Sequence, residues 1–355
     1  MKVLSAALLA GVVALSPIAA LAQSDQMDEA LDISRMLLDP PDGVDLAYGA
    51  FQRGYYLTAL RLAERRAASG DAVAQTLVAE IHANGLGVPQ DVPRAITWYA
   101  QADQNGDIQA TFQLAMIYQT GTGVPRNRER AAALFEKAAE GGHMAAKYNL
   151  GLLHVEGTYA EPNLAAAAEL IGEAAEAGLP EAQYDFAIML LEGAGIAPDT
   201  ARALQLLEMA AEQGLPEAQV EYATLLYMGA SDGTRDAEGA ARWYGRAAEA
   251  GNPVGQVRYA MMLASAEGMA QDLESAAMYR ILARRQGLTE EGLDRMLSGA
   301  DPGTLARAEE RARYWPGVPP AQDPPSQSGQ SPANEPLPDS LDTLSVPLDE
   351  LTTPG

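Results

Sequence analysis

Residues 106–142 read GDIQATFQLAMIYQTGTGVPRNRERAAALFEKAAEGG, and this stretch decides the fold. Ala110, Leu114, Ile117 and Tyr118 recur at helical spacing, so its first half is an amphipathic helix. Gly121-Thr122-Gly123 then closes that helix, because glycine accepts the left-handed conformation that a helix C-terminus asks for. Asn127 follows, a short polar side chain suited to capping the free N–H groups of a second helix. That helix carries Ala131 with Leu134-Phe135 three residues on, a small contact followed by a bulky one, and ends at Gly142.

The same unit recurs on both sides. Gly70, Gly106, Gly142, Gly178, Gly214, Gly251 and Gly287 are separated by 36, 36, 36, 36, 37 and 36 residues. Four residues after the first six stand Ala74, Ala110, Ala146, Ala182, Ala218 and Gly255. Each unit places an Asp or Asn before its second helix: Asp91, Asn127, Asn163, Asp199, Asp236 and Asp272. Each then places an alanine: Ala95, Ala131, Ala167, Ala203, Ala240 and Ala276. A fixed period of this length marks a stacked array in which each unit buries its apolar face against the next. The units run 71–106, 107–142, 143–178, 179–214, 215–251 and 252–287.

Ala146-Lys147-Tyr148-Asn149-Leu150-Gly151, the Gly121-Thr122-Gly123-Val124 turn and Phe135-Glu136-Lys137-Ala138-Ala139 with Gly142 resemble the Sel1-like repeat family, a relative of the tetratricopeptide repeats. The resemblance covers about 71–287. It implies an all-α fold, a right-handed α-solenoid of stacked antiparallel helix pairs. The turns Gly157-Thr158-Tyr159, Gly229-Ala230-Ser231 and Ala266-Glu267-Gly268 depart from the pattern. Cysteine-rich secreted members pin each repeat with a disulfide; this chain has no cysteine.

Repeat arrays need protected ends. Residues 45–70 read as a helical half-unit covering the first repeat, through Tyr48, Tyr55-Tyr56, Leu60 and Leu62. Residues 288–315 offer two short helices, Thr289–Leu297 and Thr304–Trp315, as a C-terminal cap. Upstream, Met1-Lys2, the apolar run Val3 to Leu15 and the small-x-small Ala20-Leu21-Ala22 predict a cleaved signal peptide over 1–22, followed by a linker over 23–44. The run is too short to span a bilayer, so the expected product is exported, not inserted in the membrane, and periplasmic. Downstream, residues 316–355 hold ten prolines, six acidic residues and no Lys or Arg, and are expected to be a disordered acidic tail.

Composition narrows the chemistry. The chain of 355 residues carries 48 Asp and Glu against 24 Lys and Arg, a net charge of -24 that repels nucleic acid and anionic membranes. With no cysteine, disulfides, thiolate zinc sites and cysteine nucleophiles are excluded. Only Lys2, Lys137 and Lys147 could support lysine chemistry. His82 and His154 fill the same slot as Tyr118, Leu190, Leu226 and Leu263, so they read as packing residues, too far apart to share a metal ion. His143 opens a helix without an evident partner. No His-Glu-x-x-His, Gly-x-Ser-x-Gly, Gly-Lys-Ser/Thr or Ser-x-x-Lys motif occurs, and the Gly-x-Gly turns follow helices rather than strands. No catalytic residue, cofactor or metal site is assigned.

In stacked two-helix repeats the first helices line the concave side. Tetratricopeptide geometry selects three rows there. They run Thr76, Phe112, Tyr148, Tyr184, Val220, Val257; Glu80, Met116, Leu152, Ile188, Thr224, Met261; and Ala83, Gln119, Val155, Leu191, Tyr227, Ala264. Gln113, Asn149, Asp185, Glu221 and Arg258 flank them. The candidate partner-binding residues are Phe112, Met116, Gln119, Tyr148, Leu152, Val155, Tyr184, Ile188, Leu191 and Tyr227, a groove for an extended or helical peptide. Packing of the aromatic row between repeats is the competing reading. In the tail, Leu337, Leu341, Leu344, Leu348 and Leu351 recur at spacings of 4, 3, 4 and 3, with Pro347 inside the stripe. A docking segment and an inert tail both fit that pattern.

The resulting expectation is a non-enzymatic interaction scaffold of the cell envelope with a protein or peptide partner. Periplasmic members of the family that regulate sensor kinases share this layout. Two alternatives remain open: a protein that binds or hydrolyses cell-wall material or β-lactams, as some secreted members do, and an envelope assembly chaperone.

Overall fold

The computed structural model describes residues 45–157, 161–230 and 233–317. The expected signal peptide, the linker 23–44, the tail beyond 317 and the turn residues Thr158, Tyr159 and Ser231 lie outside them. The described residues form sixteen helices and no strand. They are α1 Leu46–Gln52, α2 Tyr56–Ala67, α3 Ala72–Asn84, α4 Val92–Gln104, α5 Ile108–Thr120, α6 Arg128–Glu140, α7 Met144–Glu156 and α8 Leu164–Glu176. There follow α9 Pro180–Glu192, α10 Thr200–Glu212, α11 Pro216–Met228, α12 Ala237–Glu249, α13 Pro253–Ser265, α14 Leu273–Arg285, α15 Glu291–Leu297 and α16 Pro302–Tyr314. The twelve helices α3 to α14 are each 13 residues long, which makes six equal pairs.

Local chemistry fixes each pair. The Asp and Asn carboxyl and amide oxygens before the second helices accept the third backbone N–H, as Asp91 does from Arg94 at 3.0 Å and Asn127 from Arg130 at 2.9 Å. The backbone N–H of the same capping residue donates to the slot residue of the first helix. Asp91 to His82, Asn127 to Tyr118, Asn163 to His154 and Asp199 to Leu190 all follow this rule. The loop is thereby closed through main chain and not through the slot side chain. His82 accordingly is only 5% exposed, and neither of its ring nitrogens has a hydrogen-bond partner among the described residues. Burial pushes its pKa down, so it packs as a neutral ring.

Small residues then set the distance between pairs. Ala95, Ala131, Ala167, Ala203, Ala240 and Ala276 are all fully buried, as are Phe135, Leu206 and Leu207 beside them. The second glycine of the Gly-x-Gly turn touches the start of the preceding unit's second helix. A Cβ at Gly195, whose φ is +73°, would lie 2.1 Å from the Leu164 carbonyl oxygen.

Buried glutamines brace the stack. Gln75, Gln183, Gln219 and Gln256, each five residues after a ladder glycine, donate backward to Ala67, Ala175, Ala211 and Ala248 carbonyls. Three of them also accept forward: Asn105 donates to Gln75 at 2.8 Å, Gln213 to Gln183 at 2.8 Å and Gln286 to Gln256 at 3.2 Å. Each such side chain ties three successive helices together. In the fifth unit the donor position holds Ala250, and the Gln219 Oε1 is buried without a partner among the described residues. That orphan acceptor is the one break among the four.

Both ends are covered. Residues 45–70 form two helices, α1 and α2, with Leu60 and Ala63 buried against Leu77, Val78 and Ile81 of α3. At the other end α16 closes on α14. Arg307 and Arg311 bind Glu274 at 2.6 and 3.2 Å, and Arg285 donates to the Ala312 carbonyl at 2.5 Å.

Candidate interaction surface

The three rows lie on the first helices α3, α5, α7, α9, α11 and α13. Thr76 and Val257, the two ends of the aromatic row, are buried; Thr76 donates to Asp107 at 2.9 Å. The middle of the row differs. Phe112, Tyr148 and Tyr184 are half-buried, as are Met116, Gln119, Leu152, Ile188, Leu191 and Tyr227, while Val155 is exposed.

Within that strip the residues do different things. Phe112 stacks on His143 with ring centroids 4.3 Å apart and meets Phe135 at 5.9 Å, so its ring is held between adjacent units. His143, expected to stand alone, is the N-cap of α7 and also hydrogen-bonds Gln109 through Nε2 at 2.9 Å. Phe112 and Gln109 both belong to the preceding unit, which is why the local sequence conceals them. Tyr148, Leu152, Tyr184 and Leu191 rest on the central core around Phe186 and Leu190. Tyr148 donates its hydroxyl to Asp185 Oδ2 at 2.8 Å, a bond that joins α7 to α9. Tyr227 donates to Glu267 at 2.8 Å, and Arg235 lies 3.8 Å over its ring. Gln119 keeps a buried Oε1 without a partner among the described residues.

The electrostatics are one-sided. Burial pushes the Asp185 carboxyl above its ordinary value, opposed by the Tyr148 hydrogen bond and reinforced by Glu181. Burial alone raises Glu221 and Glu80. Tyr184, beside Glu221, Asp185 and Glu217, is raised by burial first and by those carboxylates second. Residues 148–234 contain 14 acidic residues and one base, Arg202. The strip can therefore hold apolar side chains between carboxylates that hydrogen-bond donors or cations would satisfy. Among the described residues no group of three or more His, Asp or Glu is placed to hold a metal, and no helix is long and apolar enough to cross a membrane.

The Sel1 repeat family pattern matches residues 72–107, 108–143, 145–179, 180–215 and 216–252. The chain belongs to the Sel1 repeat family. The match takes in five units; α13 and α14 repeat the same 13-residue pairing beyond it. Among solved structures, a Sel1 repeat protein from Oxalobacter formigenes is 29% identical, with a TM-score of 0.60 over 67% of this chain and 94% of that one. A protective antigen of uropathogenic Escherichia coli with the same repeat fold is 24% identical at a TM-score of 0.60. The likeness covers 82% of this chain and 62% of the antigen's length, and it concerns the fold. No curated protein matches the chain. The stacked helix pairs make this a Sel1-type, tetratricopeptide-like scaffold suited to protein–protein interaction.

Proposed function

We propose that this Sel1 scaffold is an exported, non-enzymatic adaptor of the cell envelope whose concave strip holds a protein or peptide partner. The strip centres on Tyr148, Leu152, Tyr184, Ile188 and Leu191. One observation carries the reading: half-buried apolar side chains on α7 and α9 stand with half-buried carboxylates, Asp185 and Glu221, that form no ion pair among the described residues. A partner that brings apolar side chains with donors or cations satisfies both. Export rests on the reading of residues 1–22, and a part in envelope signalling rests on the layout alone.

The test pairs two variants of the mature chain. Ile188→Ala with Leu191→Ala removes strip side chains, and Met209→Ala removes an exposed apolar side chain on the second helix α10. The strip variant is expected to lose recovery of an envelope protein crosslinked in intact cells, about tenfold, while still unfolding in one cooperative transition above the temperature of the assay, at a somewhat lower midpoint because Leu191 rests on the core. Equal recovery by both variants overturns the assignment of the strip. Fractionation of the cells tests location separately, and retention of the chain in the cytoplasm overturns export.

A further inference from the structure

At the far end of the rows a second concavity, with a volume of about 430 Å³, lies between α11, α12, α13 and the cap helix α15. Met228, Met261, Met262 and Met296 line it, with Tyr227, Tyr244 and Arg258. Met228 is 71% exposed and Met296 44%, so the mouth is apolar and open to solvent. Methionine is flexible and polarizable, and suits an apolar occupant of irregular shape. Arg258 is exposed and has no hydrogen bond or ion pair among the described residues, although Glu221 and Glu267 stand near by. Glu267 is already taken by Arg235 and Tyr227. The concavity thus offers an apolar floor and one unspent positive charge.

This chain carries a segment with the matching pattern. Leu337-Pro338-Asp339-Ser340-Leu341-Asp342-Thr343-Leu344 sets three leucines at spacings of 4 and 3 and puts two carboxylates between them. No Lys or Arg occurs after Arg313. Charge decides where such a segment can settle. Residues 45–234 hold 24 acidic and 11 basic residues, whereas 235–313 hold 12 and 11. The C-terminal third is therefore the part of the solenoid that does not repel it. Reach is sufficient: Trp315 packs at Gly251, beside the start of α13, that 13-residue helix is about 20 Å long, and the twenty residue steps from Gly317 to Leu337 span roughly 25 Å as a flexible chain and about 66 Å when extended. Tethering supplies an effective concentration on the order of millimolar, so a weak contact is enough to be occupied.

We propose that residues 337–344 dock in this methionine-lined concavity of the same molecule, with leucines on the methionines and Asp339 or Asp342 on Arg258. The docked segment covers Tyr227 and Met261, near the end of the rows, and shortens the surface open to a partner. The proposal does not depend on the adaptor reading and is tested on the purified protein alone.

The absence of native cysteine makes the test direct. Ser265→Cys at the rim is combined with Ser340→Cys in the full chain. The control combines Ser340→Cys with Glu249→Cys, an exposed position close to Gly251, where Trp315 packs just before the tail begins. On mild oxidation at low protein concentration the 265/340 disulfide is expected to form within one molecule at least tenfold faster than the 249/340 disulfide. Arg258→Glu should slow it several-fold, and Asp339→Arg with Asp342→Arg should restore it in that background. Leu341→Asp with Leu344→Asp should remove the preference. Equal rates for the two pairs would mean an undocked tail. A 265/340 bond formed only between molecules, faster at higher concentration, would mean a second copy as the occupant. Either result overturns the proposal.

Discussion

Two faces of the same helices behave differently. Between the pairs, corresponding positions hold corresponding residues: alanines at Ala95, Ala131 and Ala167, and bulky side chains at Tyr99, Phe135 and Ile171, all buried. Along the rows, corresponding positions diverge, from Glu80 through Met116 and Leu152 to Ile188 and Thr224, and stay half-buried. A stacking contact must be remade identically at every step of a solenoid, so its residues are bound to the period. A surface that faces outward is free of that demand. Within a repeat protein, agreement across units therefore marks packing and divergence marks the places available for recognition.

That contrast is sharpest at Phe135 and Phe112, which touch each other. Phe135→Ala empties a fully enclosed site and is expected to lower stability by about 4 kcal/mol, measured as a fall in the denaturant midpoint. Phe112→Ala leaves a half-exposed site and is expected to cost about half as much; equal losses would erase the distinction between faces.

Next in size is Gly195→Ala. It forces a side chain into positive φ and into the Leu164 carbonyl, and about 2–3 kcal/mol of stability should be lost. Gly106→Ala meets nothing within 4 Å at a φ of +89°, so only the backbone cost of about 1 kcal/mol applies. The gap between the two midpoints measures how tightly successive units approach.

Ala250→Gln tests the brace in the opposite direction. It restores a donor opposite the orphaned Gln219 Oε1 and is expected to raise stability by about 1 kcal/mol. No gain would mean that the fifth unit already satisfies Gln219 by another route.

The smallest effect concerns Asp185. Its folded pKa is raised, so the native state holds its proton more tightly than the unfolded chain does. Its contribution is neutral below the unfolded pKa and becomes unfavourable as pH rises through the raised folded value. Asp185→Asn keeps an acceptor for Tyr148 and removes the charge. It should raise stability slightly at pH 7 and leave it unchanged at pH 3, read from melting curves at both values.

The period of 36 exposes the array, its caps at Asp91 or Asn127 and its turn glycines directly in the sequence, because each of these acts within a dozen residues. The brace was half visible: Gln75, Gln183, Gln219 and Gln256 recur in register, but Thr111 and Lys147 interrupt them. Contacts that cross units were hidden. Tyr148 reaches Asp185 over 37 residues, and His143 reaches Gln109 over 34, at positions fixed only by the rotation from one pair to the next. The methionine-lined concavity needed the cap helix α15 to bring Met296 over α13, although six of the 13 methionines fall between 228 and 296. Clustering of that kind in one span is the signal that could have found it.

The central claim is that the divergent row face, and not the repeated face, meets the partner. Photo-crosslinking side chains placed singly at Ile188 and Met209 in intact cells test it most directly. The account predicts one protein adduct of the same mass in independent experiments from Ile188 and none from Met209. An adduct from Met209 with none from Ile188, or equal yields from both, would contradict it.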